Sequence, residues 1–160
     1  CKLIRGNVDT RIKKLKDGLY DGIILSYAGI KSLMIENEVS EIFSTQKIVP
    51  SAGQGIIALQ CCQGDSEIIS VLEKINHKET HYRAHVERNI LKVLEGDCET
   101  AIGVHSFIND DMITVEAELF SLDGLQRFYE KKSSKIESAK NLGNEVGEIL
   151  KTKSNNSYKQ

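Results

Sequence analysis

No stretch of this sequence stays apolar for the length a membrane helix needs, and nothing at its start reads as a signal peptide. Neither sign of charge dominates. The 21 lysines and arginines against 23 aspartates and glutamates leave a formal net charge of -2, which gives no general reason to expect nucleic acid or a membrane surface as partner. Cysteine is scarce: Cys1, Cys61, Cys62 and Cys98, scattered over 160 residues, make no disulfide framework. With no secretory segment, they favour a reducing, cytoplasmic setting. No internal repeat appears, and Pro50 is the single proline. An initiator methionine is also missing: the chain opens at Cys1, runs within a few residues into a motif, and so reads as the carboxy-terminal piece of something longer. What remains is a globular balance, 40% apolar and 28% charged, long enough for one ordinary domain or two small ones.

Periodicity supplies the elements. Val8, Ile12 and Leu15 recur at helical spacing behind the candidate caps Asn7 and Asp9, and Gly18 stops that helix. The apolar run at 21–27 has the look of a buried parallel strand, and 28–33 restarts a helix, an order that argues for an α/β layer. Residues 56–61 read as a second buried strand. Helices are expected over 66–75, capped by Asp65 or Ser66, and over 78–94, with Val86, Ile90, Leu91 and Leu94 facing inward. Strands at 102–108, 112–119 and 126–129, joined by the turn residues Asn109-Asp110-Asp111 and Asp123-Gly124, make an antiparallel meander. Its inner face should hold Ile113, Val115, Ala117 and Leu119, covered by a helix over 136–150. The polar stretch 151–160 should fray. The fold class is therefore α/β (α+β).

Several residues carry candidate chemistry. Cys98 sits in Leu94-Glu95-Gly96-Asp97-Cys98-Glu99-Thr100-Ala101-Ile102-Gly103, between helix and strand, where Gly96 frees the backbone to turn and Asp97 disfavours more helix. A cysteine on such a loop is either buried packing or an attachment point. Flanking Asp97 and Glu99 raise a thiol's pKa, which suits a group bonded once better than an acyl-transfer nucleophile. Arg5 and Arg11 bracket a loop and helix start, where guanidinium groups either take carboxylates in a forked geometry or lie solvated at the surface. Pro50 enters a loop with Gly53, Gln54 and Gly55, where backbone must approach something closely; no lysine-serine follows to make it a P-loop. The adjacent Cys61 and Cys62 lack zinc spacing and read as structural. His77, His81 and His85 line one helical face, but the outer pair lies about two turns apart, so a polar or partner-facing stripe is favoured over a metal site.

Together these stretches resemble the porphobilinogen deaminase (hydroxymethylbilane synthase) family. Arg5-Gly6-Asn7-Val8-Asp9-Thr10-Arg11 is similar to its Arg-Gly-Asn-Val-x-Thr-Arg motif, Pro50 to Gly55 to its Pro-x-x-Gly-Gln-Gly hinge, and the Cys98 stretch to its cofactor-attachment loop. Asn76-His77-Lys78-Glu79-Thr80 with Glu87-Arg88 resembles its entry into a third domain. The resemblance implies a transferase that condenses four porphobilinogen units head to tail with loss of ammonia, then hydrolyses off hydroxymethylbilane. It implies a dipyrromethane cofactor held by a thioether to Cys98, acetate and propionate groups bound by Arg5 and Arg11, and a cleft lined by Gln54 between Gly53 and Gly55. No metal is implied. It further implies residues 1–49 as the end of a periplasmic-binding-protein-like α/β domain and 50–76 as hinge and crossing segment. Residues 77–152 become the attachment domain, and 153–160 a flexible tail, in a cytoplasmic protein monomeric at full length.

Two departures stand against the pattern. Many relatives carry another carboxylate-binding arginine where Ser32 follows Gly29-Ile30-Lys31. The family's essential aspartate, a neighbouring lysine and a pair of arginines lie in a first domain that does not precede Cys1, so this piece alone should turn nothing over. An anion-binding module of the same ancestry would keep Arg5 and Arg11 without needing Cys98, and a structural remnant would keep only the core periodicity.

Overall fold

The computed structural model describes residues 2–96 and 100–159. The chain divides into two compact units, one ending at Phe43 and the other beginning at Ser44.

In the first unit, α1 (Val8–Lys16) follows Asn7 and ends at Asp17, with Gly18 at φ +74°. The expected Val8, Ile12 and Leu15 periodicity thus forms its helix. The shorter α2 (Tyr27–Ser32) places Ile30 in the unit's interior, and a 3-10 turn follows at Glu36–Glu38. Residues 21–26 form no strand, contrary to the sequence pattern, and Ile24 is 72% exposed. A strand is defined by its ladder. Among the described residues no strand ladder includes this run, nor 56–61, where Ile57 is 89% exposed. The buried parallel strands read from these apolar runs are therefore absent, leaving hydrophobic segments without a sheet.

The second unit holds the main core. After α3 (Ser66–Ile75) and α4 (Lys78–Leu94), the chain forms β1 (Ile102–Asn109), β2 (Met112–Phe120) and β3 (Arg127–Lys135), then α5 (Ala139–Ser154). The sheet is antiparallel in the order β1-β2-β3, with Asn109 opposite Met112 and Phe120 opposite Arg127. Strand alternation sends Ile113, Val115, Ala117 and Leu119 to one face, each fully buried as expected. On that face α4 supplies Val86, Ile90 and Leu94, and α5 supplies Leu142, Val146 and Leu150. The other face is polar and paired: Lys131 Nζ lies 2.5 Å from Glu116 Oε1, and Arg127 Nη2 lies 2.5 Å from Glu118 Oε1.

Asp65 caps α3 as expected, its side chain accepting from Ile68 N–H at 3.1 Å. Three expectations need correction. β3 runs to Lys135 rather than stopping at 129, because its later residues are held by the β2 ladder and not by an apolar pattern. The turn after α4 is made by Glu95 at φ 54°, while Gly96 lies outside the left-handed region; its N–H instead returns to Leu91 O at 3.0 Å. The tail is packed, not frayed: α5 continues to Ser154, and Tyr158 is 2% exposed with its hydroxyl donating to Leu94 O at 2.9 Å. One aromatic ring gives that polar segment an anchor.

Candidate functional site

The loop at Pro50 is fixed against the sheet. β1 is an edge strand, and an edge exposes backbone groups that need partners. Val104 N–H donates to Pro50 O at 2.7 Å. Gly103 allows this approach, since a Cβ there would stand 2.6 Å from Val49 O. The chain then turns through Gly53 and Gly55 at φ +74° and +80°, conformations in which a side chain is strained. Gln54 N–H donates to Ser51 O at 3.0 Å and Ile56 N–H to Gly53 O at 3.0 Å, so two successive turns present Gln54 at the surface. The close backbone approach expected here from the sequence is not found: a Cβ added at Gly53 or Gly55 would meet nothing within 4 Å, and the two glycines serve the left-handed turns instead.

Beneath this loop lies a residue the sequence does not single out by chemistry. Glu87, on the inner side of α4, is 3% exposed. Its Oε1 accepts from Ser106 N–H at 2.9 Å and Ser106 Oγ–H at 2.6 Å, and its Oε2 accepts from Gly53 N–H at 2.7 Å. Burying a carboxylate is costly unless its oxygens are bonded, and here both are. Near it on β1, His105 has its pKa lowered, first by burial and then by the Arg83 guanidinium. His77 caps α4, accepting from Thr80 N–H at 3.3 Å, and the exposed His81 and His85 bring their Nε2 atoms within 3.0 Å. The histidine stripe is thus a cap plus a ring pair. Among the described residues no group of histidine, cysteine or acidic side chains is gathered to hold a metal, and Cys61 and Cys62 are free thiols.

In the first unit, Arg11 lines an open cavity of about 680 Å³ with Gly6, Asn7, Val8 and Asp9 on one side and Ile24, Leu25, Ser26 and Leu33 on the other. Its Nε–H donates to Gly6 O at 2.6 Å, which orients the guanidinium along the loop. Asn7 stands at the N-cap without a side-chain bond, so the first-turn N–H groups of α1 receive no cap from it. A guanidinium beside uncapped helical N–H groups favours anions, opposed locally by the Asp9 carboxylate. Arg5 is exposed and does not line this cavity; its backbone oxygen accepts from Lys14 Nζ at 2.9 Å. Ser32 returns its hydroxyl to Ala28 O at 2.9 Å. Cys98, with Asp97 and Glu99, lies outside the described residues.

Two family models match, one described as porphobilinogen deaminase, dipyromethane cofactor binding domain, over residues 1–70, and one as porphobilinogen deaminase, C-terminal domain, over residues 81–152. The chain belongs to the porphobilinogen deaminase family. Among curated porphobilinogen deaminases, that of Desulforamulus reducens is 38% identical over 147 residues, covering 92% of this chain and 48% of the relative. The Prochlorococcus marinus (strain NATL1A) protein is 34% identical over 150 residues, 94% of this chain and 48% of that one. That of Coxiella burnetii (strain RSA 493) is 36% identical over 152 residues, 94% and 50% respectively. The chain spans about half the length of the curated relatives it matches. Pro50 to Gly55 lies within the first matched segment, Glu87 and Cys98 within the second.

Proposed function

We propose that this chain is the part of a porphobilinogen deaminase that carries the cofactor tether and a set of carboxylate contacts. The observation that carries the reading is Arg11, held by Gly6 O and lining a cavity with the uncapped start of α1. Each pyrrole of the substrate brings carboxylates, and a forked guanidinium with helical N–H groups is the donor set they need. Arg11 binds such a group and orients it. Arg5 adds a second cation from the exposed loop before α1. Gln54, presented between Gly53 and Gly55, lines the substrate cleft of the full-length protein. Cys98 holds dipyrromethane through a thioether, and the bound group supplies the primer to which porphobilinogen units are joined with loss of ammonia before hydrolysis to hydroxymethylbilane. Asp97 and Glu99 keep that sulfur a tether rather than a recycled nucleophile.

Turnover belongs to a protein of the relatives' full length, a cytoplasmic monomer, and not to these 160 residues alone. Ser32 offers its hydroxyl to its own helix, so position 32 contributes no cation to substrate. The reading is tested with the chain joined to the amino-terminal half of a relative. Porphobilinogen should be consumed by the joined protein and not by the chain alone. Arg11→Leu should raise KM at least tenfold, the loss of about one charge-assisted contact, and Cys98→Ser should abolish turnover. Full activity in Cys98→Ser, or turnover by the chain alone, would refute it.

A further inference from the structure

The outer edge of β1 is covered in two different ways. At Val104 a backbone carbonyl, Pro50 O, takes the N–H at 2.7 Å, as a neighbouring strand would. Two residues along, the loop has turned away at Gly53, and the acceptor for Ser106 N–H is the Glu87 carboxylate at 2.9 Å. The same carboxylate takes the Gly53 N–H at 2.7 Å, so the chain's departure point and the strand edge it leaves are joined through one side chain. A carboxylate accepts only, and among the described residues the donors shown reaching it are Ser106 N–H, Ser106 Oγ–H and Gly53 N–H, with the residue 3% exposed.

We propose that Glu87 is a positioning residue: a latch that completes the strand edge and locks the Gly53-Gln54-Gly55 turn, and thereby sets where Gln54 stands. The catalytic consequence rests on the reading of Gln54 as a cleft residue; the latch itself does not. Gln54 reaches Glu87 through Gly53, whose left-handed backbone is held at its N–H by the carboxylate. Were Glu87 only a core filler, its loss would loosen the sheet edge evenly. As a latch, its loss frees Gly53 and Ser106 while Val104, held by Pro50, stays closed.

Residue-resolved amide hydrogen exchange on the full-length protein separates these outcomes. Glu87→Gln turns one acceptor into an N–H facing a donor and takes the charge from the bond that remains, and should speed exchange at Gly53 and Ser106 by about tenfold to a hundredfold, the loss of charge-assisted bonding. Val104 and Ile90 should keep their wild-type rates. Ser106→Ala removes one donor, leaves the Gly53 bond, and should leave Gly53 exchange unchanged; it serves if Glu87→Gln does not fold. Unchanged Gly53 exchange in Glu87→Gln, equal acceleration at Val104 and Ile90, or a fast Gly53 in Ser106→Ala would overturn the latch. In the same Glu87→Gln protein the KM for porphobilinogen should rise several-fold more than kcat falls. A fast Gly53 with unaltered kinetics would uphold the latch and refute the cleft role of Gln54.

Discussion

Tyr158 stands two residues from the end of the sequence, in a stretch of serine, lysine and asparagine, yet it is 2% exposed and bonded to Leu94 O at 2.9 Å. Tyr158→Phe should keep the packing and lose the bond, lowering stability by about 1 kcal/mol, measured by urea unfolding. Such residues are hard to read from sequence because a lone aromatic in a polar tail carries no period. Glu87 is harder still: glutamate is almost never fully buried unless paired, so one in a helix reads as solvated. Only the strand edge it serves reveals the need for it. Asp65, by contrast, announces its cap through its place before an apolar helical pattern. His105 gives a pH test. Burial first, and then Arg83, hold its pKa below the ordinary value of about 6.5, so the fold resists a proton that the unfolded chain accepts. Its contribution to stability is therefore present above pH about 6.5 and is lost as pH falls through the lowered folded value. Melting temperature followed from pH 8 downward (about one unit at a time) should decline through that window, and His105→Gln should flatten the decline; identical slopes would contradict the assignment.

At the scale of elements, α3, α4 and the inner face of β2 are legible because their periods are clean, although α3 buries none of its residues. The apolar runs at 21–27 and 56–61 are not, since apolar character alone does not supply a ladder. α5 hides a different signal. Gly143 and Gly147 lie one turn apart on its inner side, where a Cβ would meet Val86 O at 2.5 Å and Val93 Cβ at 2.7 Å respectively. The α4–α5 crossing is close because these positions are bare, a Gly-x-x-x-Gly spacing that the apolar pattern of the helix conceals. Gly143→Ala should force the backbone of α4 away and destabilise the unit by about 1–3 kcal/mol despite alanine's better helix propensity. A stabilised Gly143→Ala variant in thermal or urea unfolding would show that the helices are free to separate.

For the whole molecule, the family is legible in short motifs spread along the chain, and two matched segments extend that kinship over residues 1–70 and 81–152. The site is legible unevenly. Arg11 is picked out by a residue type whose physics is local, a fork of donors, whereas Gly53 and Gly55 suggest close approach in the sequence and serve left-handed backbone in the fold. Arg5 proves exposed and apart from the Arg11 cavity. What no local pattern could supply is the carboxylate joining a hinge-like loop to a strand edge 53 residues later, because Gly53, Glu87 and Ser106 meet only once the sheet is built. The central claim is that the sulfur of Cys98 carries an oligopyrrole, and its most direct test is the intact mass of the protein produced together with its amino-terminal half. That mass should exceed the sequence mass by one dipyrromethane, and Cys98→Ser should return it to the sequence value. An unmodified wild-type protein, or a gain that survives Cys98→Ser, would contradict the account.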